Sequence, residues 1–536
     1  MTTTSMPPPV GDWPDRYATD PGLSLEEIVR PFGSHETVSF VDPSGRRTLS
    51  YDRFAAHLAT AAHRLREHGI GPGSMVATTI STTMPSVIAA LGVWVAGGTL
   101  VSLPPPSRRA LRIEHAKKMS AVLAAMGCRH LITDEKSTPY ESLHVIPLAA
   151  LDGDDGVLPP DVPVPDVALV QFTSGSLGTP KGVAISPSAL AGHLTMISRC
   201  MGHDPGNDTV ATWLPFYHDF GLICFFLAGV CGRVDQVHMR PQDFARDPSS
   251  WLRMLSDERA TITGGPHFGY SLAGRVPYPD DLDLSRMKMA LNGGERVNWP
   301  ELDEFLTATE AMKFPVAALQ PVYGLAENTV GCTCTLRGNS GPVRGPGDLV
   351  SSGRLLSGTV IRSEGTAEDP ADLRIAGPWL FDGYYTADGF QPRTGDEFST
   401  GDAGFVQDGE VFVLGRADEV ISTGGRNLFA EDVEAVALQA GRPWAGTCAA
   451  FKLSTGDQRF GLCVETAGRD VPDPVGLART VRSAVSSALS TRVEPLFVVI
   501  PGAIPRTTSG KVRRGACRVE LQEGRISGRR VMAELS

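Results

Sequence analysis

The chain has 536 residues, with 49 Lys and Arg against 60 Asp and Glu, a net charge of −11. An apolar share of 42% and a charged share of 20% suit a folded soluble protein with a sizeable core and exclude a disordered chain. The acidic balance leaves no cationic excess to displace counterions, so no nucleic-acid partner is expected. Nine Cys without regular spacing read as free thiols of a reducing compartment; Cys332 and Cys334 have no second pair placed like zinc ligands. Met1–Val10 lacks the charged start and apolar stretch of a secretory signal, and the apolar run Leu222–Val230 is far too short to cross a bilayer. A cytoplasmic protein with no membrane span is therefore expected.

The first half alternates helix and strand signals. Phe54, Leu58, Ala61, Ala62 and Leu65 fall at helical spacing, and Gly69 ends that helix. After the turn Gly71-Pro72-Gly73, Met75–Ile80 reads as a strand, Pro85–Ala96 as an apolar helix closed by Gly97-Gly98, and Val101–Leu103 as a short strand cut off by Pro104. Arg109–Met126 is helix-like, and Cys128–Thr133 follows as a strand. Repeated strand–helix–strand units imply parallel sheets with helices on their faces. Asp152–Pro165 is an Asp/Gly/Pro-rich loop leading into the buried strand Val167–Phe172.

At the end of that strand lies Thr173-Ser174-Gly175-Ser176-Leu177-Gly178-Thr179-Pro180-Lys181-Gly182. Glycines let backbone N–H groups turn toward an anion, hydroxyls add donors, and Lys181 adds a point charge. Such a segment suits the cradling of a triphosphate. It lacks the G-K-[ST] ending of a Walker loop. Its place after a strand fits the rule that open α/β sheets bind ligands beyond the carboxyl ends of their strands.

Further segments follow in order: Trp213-Leu214-Pro215-Phe216-Tyr217-His218-Asp219-Phe220-Gly221, Asn292-Gly293-Gly294-Glu295, Tyr323-Gly324-Leu325-Ala326-Glu327, Thr400-Gly401-Asp402, Gly415-Arg416, Gly424-Gly425-Arg426-Asn427, and Pro505-Arg506-Thr507-Thr508-Ser509-Gly510-Lys511. Together with the glycine-rich segment, these resemble the motifs of the adenylate-forming superfamily, which includes acyl-CoA synthetases, peptide-synthetase adenylation domains, luciferases and fatty acyl-AMP ligases. The resemblance runs from about Tyr51 to Lys511. It implies an α/β fold: a large N-terminal domain of layered α/β sheets, 1–417, that binds adenylate and acyl group, and a small mobile C-terminal α/β lid, 418–536.

The chemistry implied is a small-molecule carboxylic acid reacting with ATP to give acyl-AMP, followed by transfer to CoA or to the phosphopantetheine of an acyl carrier protein. Two anions must meet, so charge has to be neutralised and the attacking oxygen held in line. By resemblance, Lys511 bridges the carboxylate and α-phosphate oxygens, and His218 lies beside the substrate carboxylate. Glu327 and Thr173 hold Mg²⁺. The nucleotide falls to Thr173, Ser174, Gly175, Ser176, Gly178 and Lys181, to Gly293, Gly294 and Glu295, to Tyr323 and Gly324, with Tyr323 stacking on adenine, to Asp402 at the ribose, and to Arg416 at ribose or phosphate. Thr394-Gly395-Asp396 repeats the letters around Asp402, but Asp402 has the family-like spacing to Gly415-Arg416. Asp418 is the expected hinge. Tyr217, Asp219, Gly221, Gly265 and Phe268 are expected in the acyl pocket, within walls spanning Trp213–Phe225, Gly264–Tyr270, Leu291–Val297 and Tyr323–Thr329.

Three departures bear on function. Leu177 replaces a usual Thr and removes a hydroxyl donor to phosphate. Arg296 replaces a frequent Pro after Glu295 and is expected to alter the acyl pocket. The 20-residue stretch Gly331–Val350 is short where fatty acyl-AMP ligases usually carry an insertion that hinders CoA. The expected enzyme is thus a CoA-competent acid–thiol ligase acting on a lipophilic acid. The alternatives are an acyl-AMP ligase loading a carrier protein, an enzyme performing only the transfer from acyl-AMP, an inactive acyl-nucleotide binder, and, through Asp219, amino-acid adenylation.

Overall fold

A computed structural model describes residues 36–104, 112–134, 138–159, 161–174, 180–334, 341–423, 426–453, 459–507, 510–526 and 531–535. Gly175, Ser176, Leu177, Gly178, Gly424, Gly425, Thr508 and Ser509 lie outside the described residues.

The predicted first-half elements are found with small shifts of boundary: helix Tyr51–Glu67, strand Met75–Thr79, helix Met84–Ala96, strand Thr99–Leu103, helix Arg112–Ala125, strand His130–Thr133 and strand Leu169–Ser174. Their ends obey simple chemistry. Pro85 occupies the first turn of its helix, where no N–H partner is lost, and Gly97 closes it at φ +93°. Helix Pro187–Met201 starts on Ser186, whose hydroxyl accepts from the Ala189 N–H at 3.3 Å.

Two sheets share one core. In the first, Thr37–Asp42, Asp235–Met239, Thr209–Thr212, Ile262–Pro266, Met289–Gly293 and Leu319–Pro321 run parallel, with Gly45–Ser50 antiparallel at one edge. In the second, Leu169–Ser174, Thr99–Leu103, Met75–Thr79, His130–Thr133 and His144–Pro147 are parallel. Pro180–Ile185, Gly383–Thr386 and Gly389–Pro392 extend it antiparallel. The strand–helix–strand units read from the sequence pair in parallel as expected, and the sheet is mixed because only five residues separate Leu169–Ser174 from Pro180–Ile185, too few for a crossover. Trp94, Leu100, Leu169, Phe225 and Leu291 belong to the apolar layer between the two sheets. A third, antiparallel sheet includes Ala371–Ala376, Glu397–Gln407 and Glu410–Arg416.

The C-terminal portion has its own four-stranded sheet, Ala445–Lys452, Phe460–Thr466, Val493–Val499 and Val531–Leu535, and its own core with helices Ala430–Ala440 and Pro474–Leu489. The nine cysteines, all among the described residues, form no disulfide. No described helix is long and apolar enough to cross a membrane.

Candidate functional site

Parallel strands end on the same side of their sheet, and several motifs sit at those ends. Gly293-Gly294-Glu295 follows Met289–Gly293, His267-Phe268 follows Ile262–Pro266, Tyr323-Gly324 follows Leu319–Pro321, and Trp213–His218 follows Thr209–Thr212. They open on a cleft of about 2190 Å³ that also receives Thr173, Lys181, Glu327, Asp402, Arg416, Asp418 and Lys511.

One corner is a hydrogen-bonded knot. The Tyr323 hydroxyl donates to Asp402 Oδ2 at 2.6 Å, and Arg416 Nη1 donates to Asp402 Oδ1 at 3.2 Å and to the Thr400 carbonyl at 3.0 Å. Burial raises the Asp402 carboxyl above its ordinary value, although Tyr323, Arg416 and Lys511 pull the other way. The same burial, with the charge of Asp402, pushes the Tyr323 phenol far up, so it remains a donor. The expectation for Tyr323 concerned only its ring; its hydroxyl positions Asp402. Asp396, the similar-looking alternative, is an exposed turn residue outside the cleft. Arg416 Nε lies 3.5 Å from Asp418, which is about half exposed as a hinge residue can be.

A second corner centres on Glu327. Tyr384 donates to its Oε1 at 2.7 Å, and Lys181 Nζ lies 5.0 Å from the centre of the Tyr384 ring. Thr173 stands opposite Lys181 on the paired strands, so hydroxyl, ammonium and carboxylate share one wall. Burial raises the Glu327 carboxyl; the Tyr384 hydrogen bond opposes this, and the charges of Asp219 and Asp402 add to it. Among the described residues no basic side chain forms an ion pair with Glu327. The sequence reading did not find Tyr384. The aromatic-glycine run Trp379–Tyr385 was its available signal.

A third corner holds His218, whose Nδ1 is 2.5 Å from Asp219 Oδ1. The same oxygen accepts from the Phe220 N–H at 2.7 Å and caps the π-helix Phe220–Leu227. Burial raises the Asp219 carboxyl, but His218, Lys511 and the Phe220 N–H outweigh it, and the net shift is downward. Lys511 reaches in from the C-terminal portion: a methyl group on Gly294 would stand 3.9 Å from its Nζ. Its loop is closed by Lys511 N–H donating to Thr507 Oγ1 at 3.0 Å and Thr507 N–H donating to the Lys511 carbonyl at 2.8 Å. Lys511 acts electrostatically on Asp219 and Asp402, both aspartates act on Glu327, and all four line the one cleft.

Other predicted positions do different work. Glu295 accepts from the Phe268 N–H at 3.1 Å and fixes the two loops together. Gly324 lets its backbone meet the Val330 carbonyl, where a Cβ would come within 1.9 Å. Gly221, Gly265 and Gly293 do not line the cleft. A Cβ on Gly221 would stand 2.3 Å from the Pro215 carbonyl, and one on Gly293 would stand 2.6 Å from Val322, so these glycines permit close backbone packing. Gly221 and Gly265 are accordingly corrected from pocket wall to the layer behind it. Trp213 faces another core, stacked on Phe244 at 3.8 Å. The apolar lining that the sequence reading missed comes from helix Pro187–Met201: Ile197, Cys200 and Met201 lie at helical spacing and join Tyr217, Phe220, Cys224 and Leu356 in the cleft wall. The structure gives the Ser174 backbone only as the strand residue opposite Pro180.

The family described as AMP-binding enzyme matches residues 26–385. The chain belongs to that family. A long-chain-fatty-acid–AMP ligase of Mycobacterium tuberculosis, FadD28, is 27% identical over 88% of this chain and 91% of its own. A candidate fatty-acid–CoA ligase of the same organism, fadD25, is 30% identical over 67% of this chain and 70% of its own. A structure from a study of fatty acyl-adenylate ligases of E. coli and L. pneumophila superposes with a TM-score of 0.83 and 28% identity, over 95% of this chain and 99% of that one. This AMP-binding enzyme is thus an adenylate-forming ligase of α/β architecture, with a large N-terminal and a small C-terminal portion.

Proposed function

We propose that this AMP-binding enzyme is an acid–thiol ligase, with its lid beginning at Asp418. A carboxylate oxygen attacks the α-phosphorus of ATP and pyrophosphate leaves. A thiolate then attacks the acyl carbon of the mixed anhydride, and AMP leaves. The observation that carries this reading is that Lys511, from the lid, comes up to Gly294 and lines one cleft with Asp402, Asp219 and Glu327 of the large domain. The Lys511 ammonium neutralises charge developing between carboxylate and phosphate, where a preorganised cation is most effective. Asp402, oriented by Tyr323 and Arg416, accepts from the ribose hydroxyls. Glu327 suits Mg²⁺: it is a half-buried carboxylate with a phenol donor and no paired base among the described residues, and phosphate and water oxygens would complete the coordination. When bound, the ion would offset phosphate charge. Thr173 and Lys181 hold the polyphosphate from the same wall.

The acid is lipophilic, because Ile197, Met201, Phe220 and Leu356 wall the cleft with apolar surface. The pairing of Asp219 with His218 and the Phe220 N–H supports this over amino-acid adenylation, since the charge that an amine would seek is already met. CoA is the favoured acceptor because Gly331–Val350 is short. A second reading, transfer to a carrier protein's phosphopantetheine, is favoured by Tyr217-His218-Asp219 and by the long-chain-fatty-acid–AMP ligase among the relatives.

The test supplies fatty, aryl, polycyclic and amino acids with ATP and Mg²⁺, with CoA, with a phosphopantetheinylated carrier protein, or with neither. Pyrophosphate release and acyl-CoA from the apolar acids are expected. Acyl-AMP that moves only to the carrier would establish the second reading. Transfer from synthetic acyl-AMP without any use of ATP would assign the half-reaction alone, and ATP use restored by Leu177→Thr would trace it to Leu177.

A further inference from the structure

Arg296 lines the cleft, as its position after Glu295 suggested, and its guanidinium reaches across to the lid. Nη1 is 2.8 Å from Asp432 Oδ1, in the first turn of helix Ala430–Ala440, and donates to the Leu414 carbonyl at 3.1 Å on the strand that leads to Asp418. The Arg296 side chain is 17% exposed and that of Asp432 35%, so the ion pair is partly shielded from water. Gly294, two residues before Arg296, is the position that faces Lys511 Nζ. One short loop therefore faces the lysine with one residue and grips the lid with another. Across the same interface Phe268 abuts Gly510, where a Cβ would stand 3.2 Å from the ring. Farther out, Arg442 Nη2 bonds Glu304 at 3.1 Å.

We infer that Arg296 is a positioning residue, a latch that holds the lid in the orientation that delivers Lys511 for acyl-AMP formation. This rests on the acid–thiol ligase reading. Arg296 touches no reacting atom; it acts through Asp432 and Leu414. Leu414 precedes Asp418, so its bond anchors the guanidinium on the large domain; a lid that turns to admit a thiol must break the Asp432 pair, so the latch favours the first half-reaction and opposes the second.

The experiment measures two rates in R296Q, D432N and the double variant: pyrophosphate release from acid plus ATP, and thioester formation from synthetic acyl-AMP plus the thiol that the unmodified enzyme uses. Each single substitution is expected to slow the first about tenfold, equivalent to about 1.4 kcal/mol. Each should leave the second unchanged or faster, and the double variant should be no worse than the weaker single one. Equal losses in both rates would make Arg296 a merely structural or substrate-contacting residue and overturn the inference, as would an unchanged first rate. If the unmodified enzyme released no pyrophosphate from any acid, the ligase reading itself would fail, and the latch with it.

Discussion

The two walls of the cleft are built differently. On the large domain, Asp402 and Glu327 are set by short hydrogen bonds from Tyr323 and Tyr384, beside glycines whose backbones press against their neighbours. On the lid, Lys511 stands on a loop fixed to itself through Thr507, and the contacts across the interface include side-chain pairs such as Arg296–Asp432. The first wall is preorganised to bind. The second meets the first through side-chain ion pairs, and on the proposed function it turns at the cost of a few of them. Binding should therefore be sensitive to the first wall and reaction to the second.

The sharpest way to separate them is Lys511→Met. Acyl-AMP formation should fall by about 10²–10³ while ATP affinity and thermal stability hardly move, because the lost charge acts mainly in the transition state. A parallel loss of ATP affinity would erase the distinction. Asp402→Asn should show the opposite pattern, weakening ATP by about 10- to 100-fold through loss of charge-assisted bonds, read as KM for ATP. Because burial raises Asp402, ATP use should decline at a higher pH than an ordinary aspartate would allow as the medium is acidified, and Asn should flatten that limb. Leu177→Thr restores a hydroxyl donor and should raise ATP-dependent turnover about tenfold, with transfer from supplied acyl-AMP unchanged.

The smallest effect concerns the lid's stability. Burial first, and then the charges of Glu434 and Glu419, push Glu431 up to about 7 despite Arg514, whose Nη1 lies 3.0 Å away. A carboxyl raised on folding contributes stability below its unfolded value that is lost as pH climbs through its folded value. The melting temperature should thus fall between pH 5 and pH 8. Glu431→Gln should recover about 2–4 °C at pH 8 and change little at pH 5.

Much of the large domain was legible because its helices and strands are long enough to show a period, and because Gly97 and Pro85 mark helix ends by their own geometry. The strand-end motifs were legible as chemistry for the same reason: glycines and hydroxyls follow apolar runs. What escaped depends on distant partners. Glu327 and Tyr384 are 57 residues apart, and Arg296 meets Asp432 across the interface, so no local pattern announces either pair. The antiparallel sheet was missed because members such as Thr333–Cys334 and Arg354–Leu355 are two residues long and carry no period. Gly221 and Gly293 show that a glycine in a motif can serve backbone packing instead of a ligand.

The most direct measurement is a crystal structure with a non-hydrolysable acyl-adenylate analogue. Lys511 Nζ should lie within hydrogen-bonding distance of the group replacing the α-phosphate, with Asp402 on the ribose hydroxyls and the acyl chain along Ile197 and Phe220. A bound analogue that Lys511 does not reach, in a crystal whose lid keeps the Arg296–Asp432 pair, would contradict the central claim.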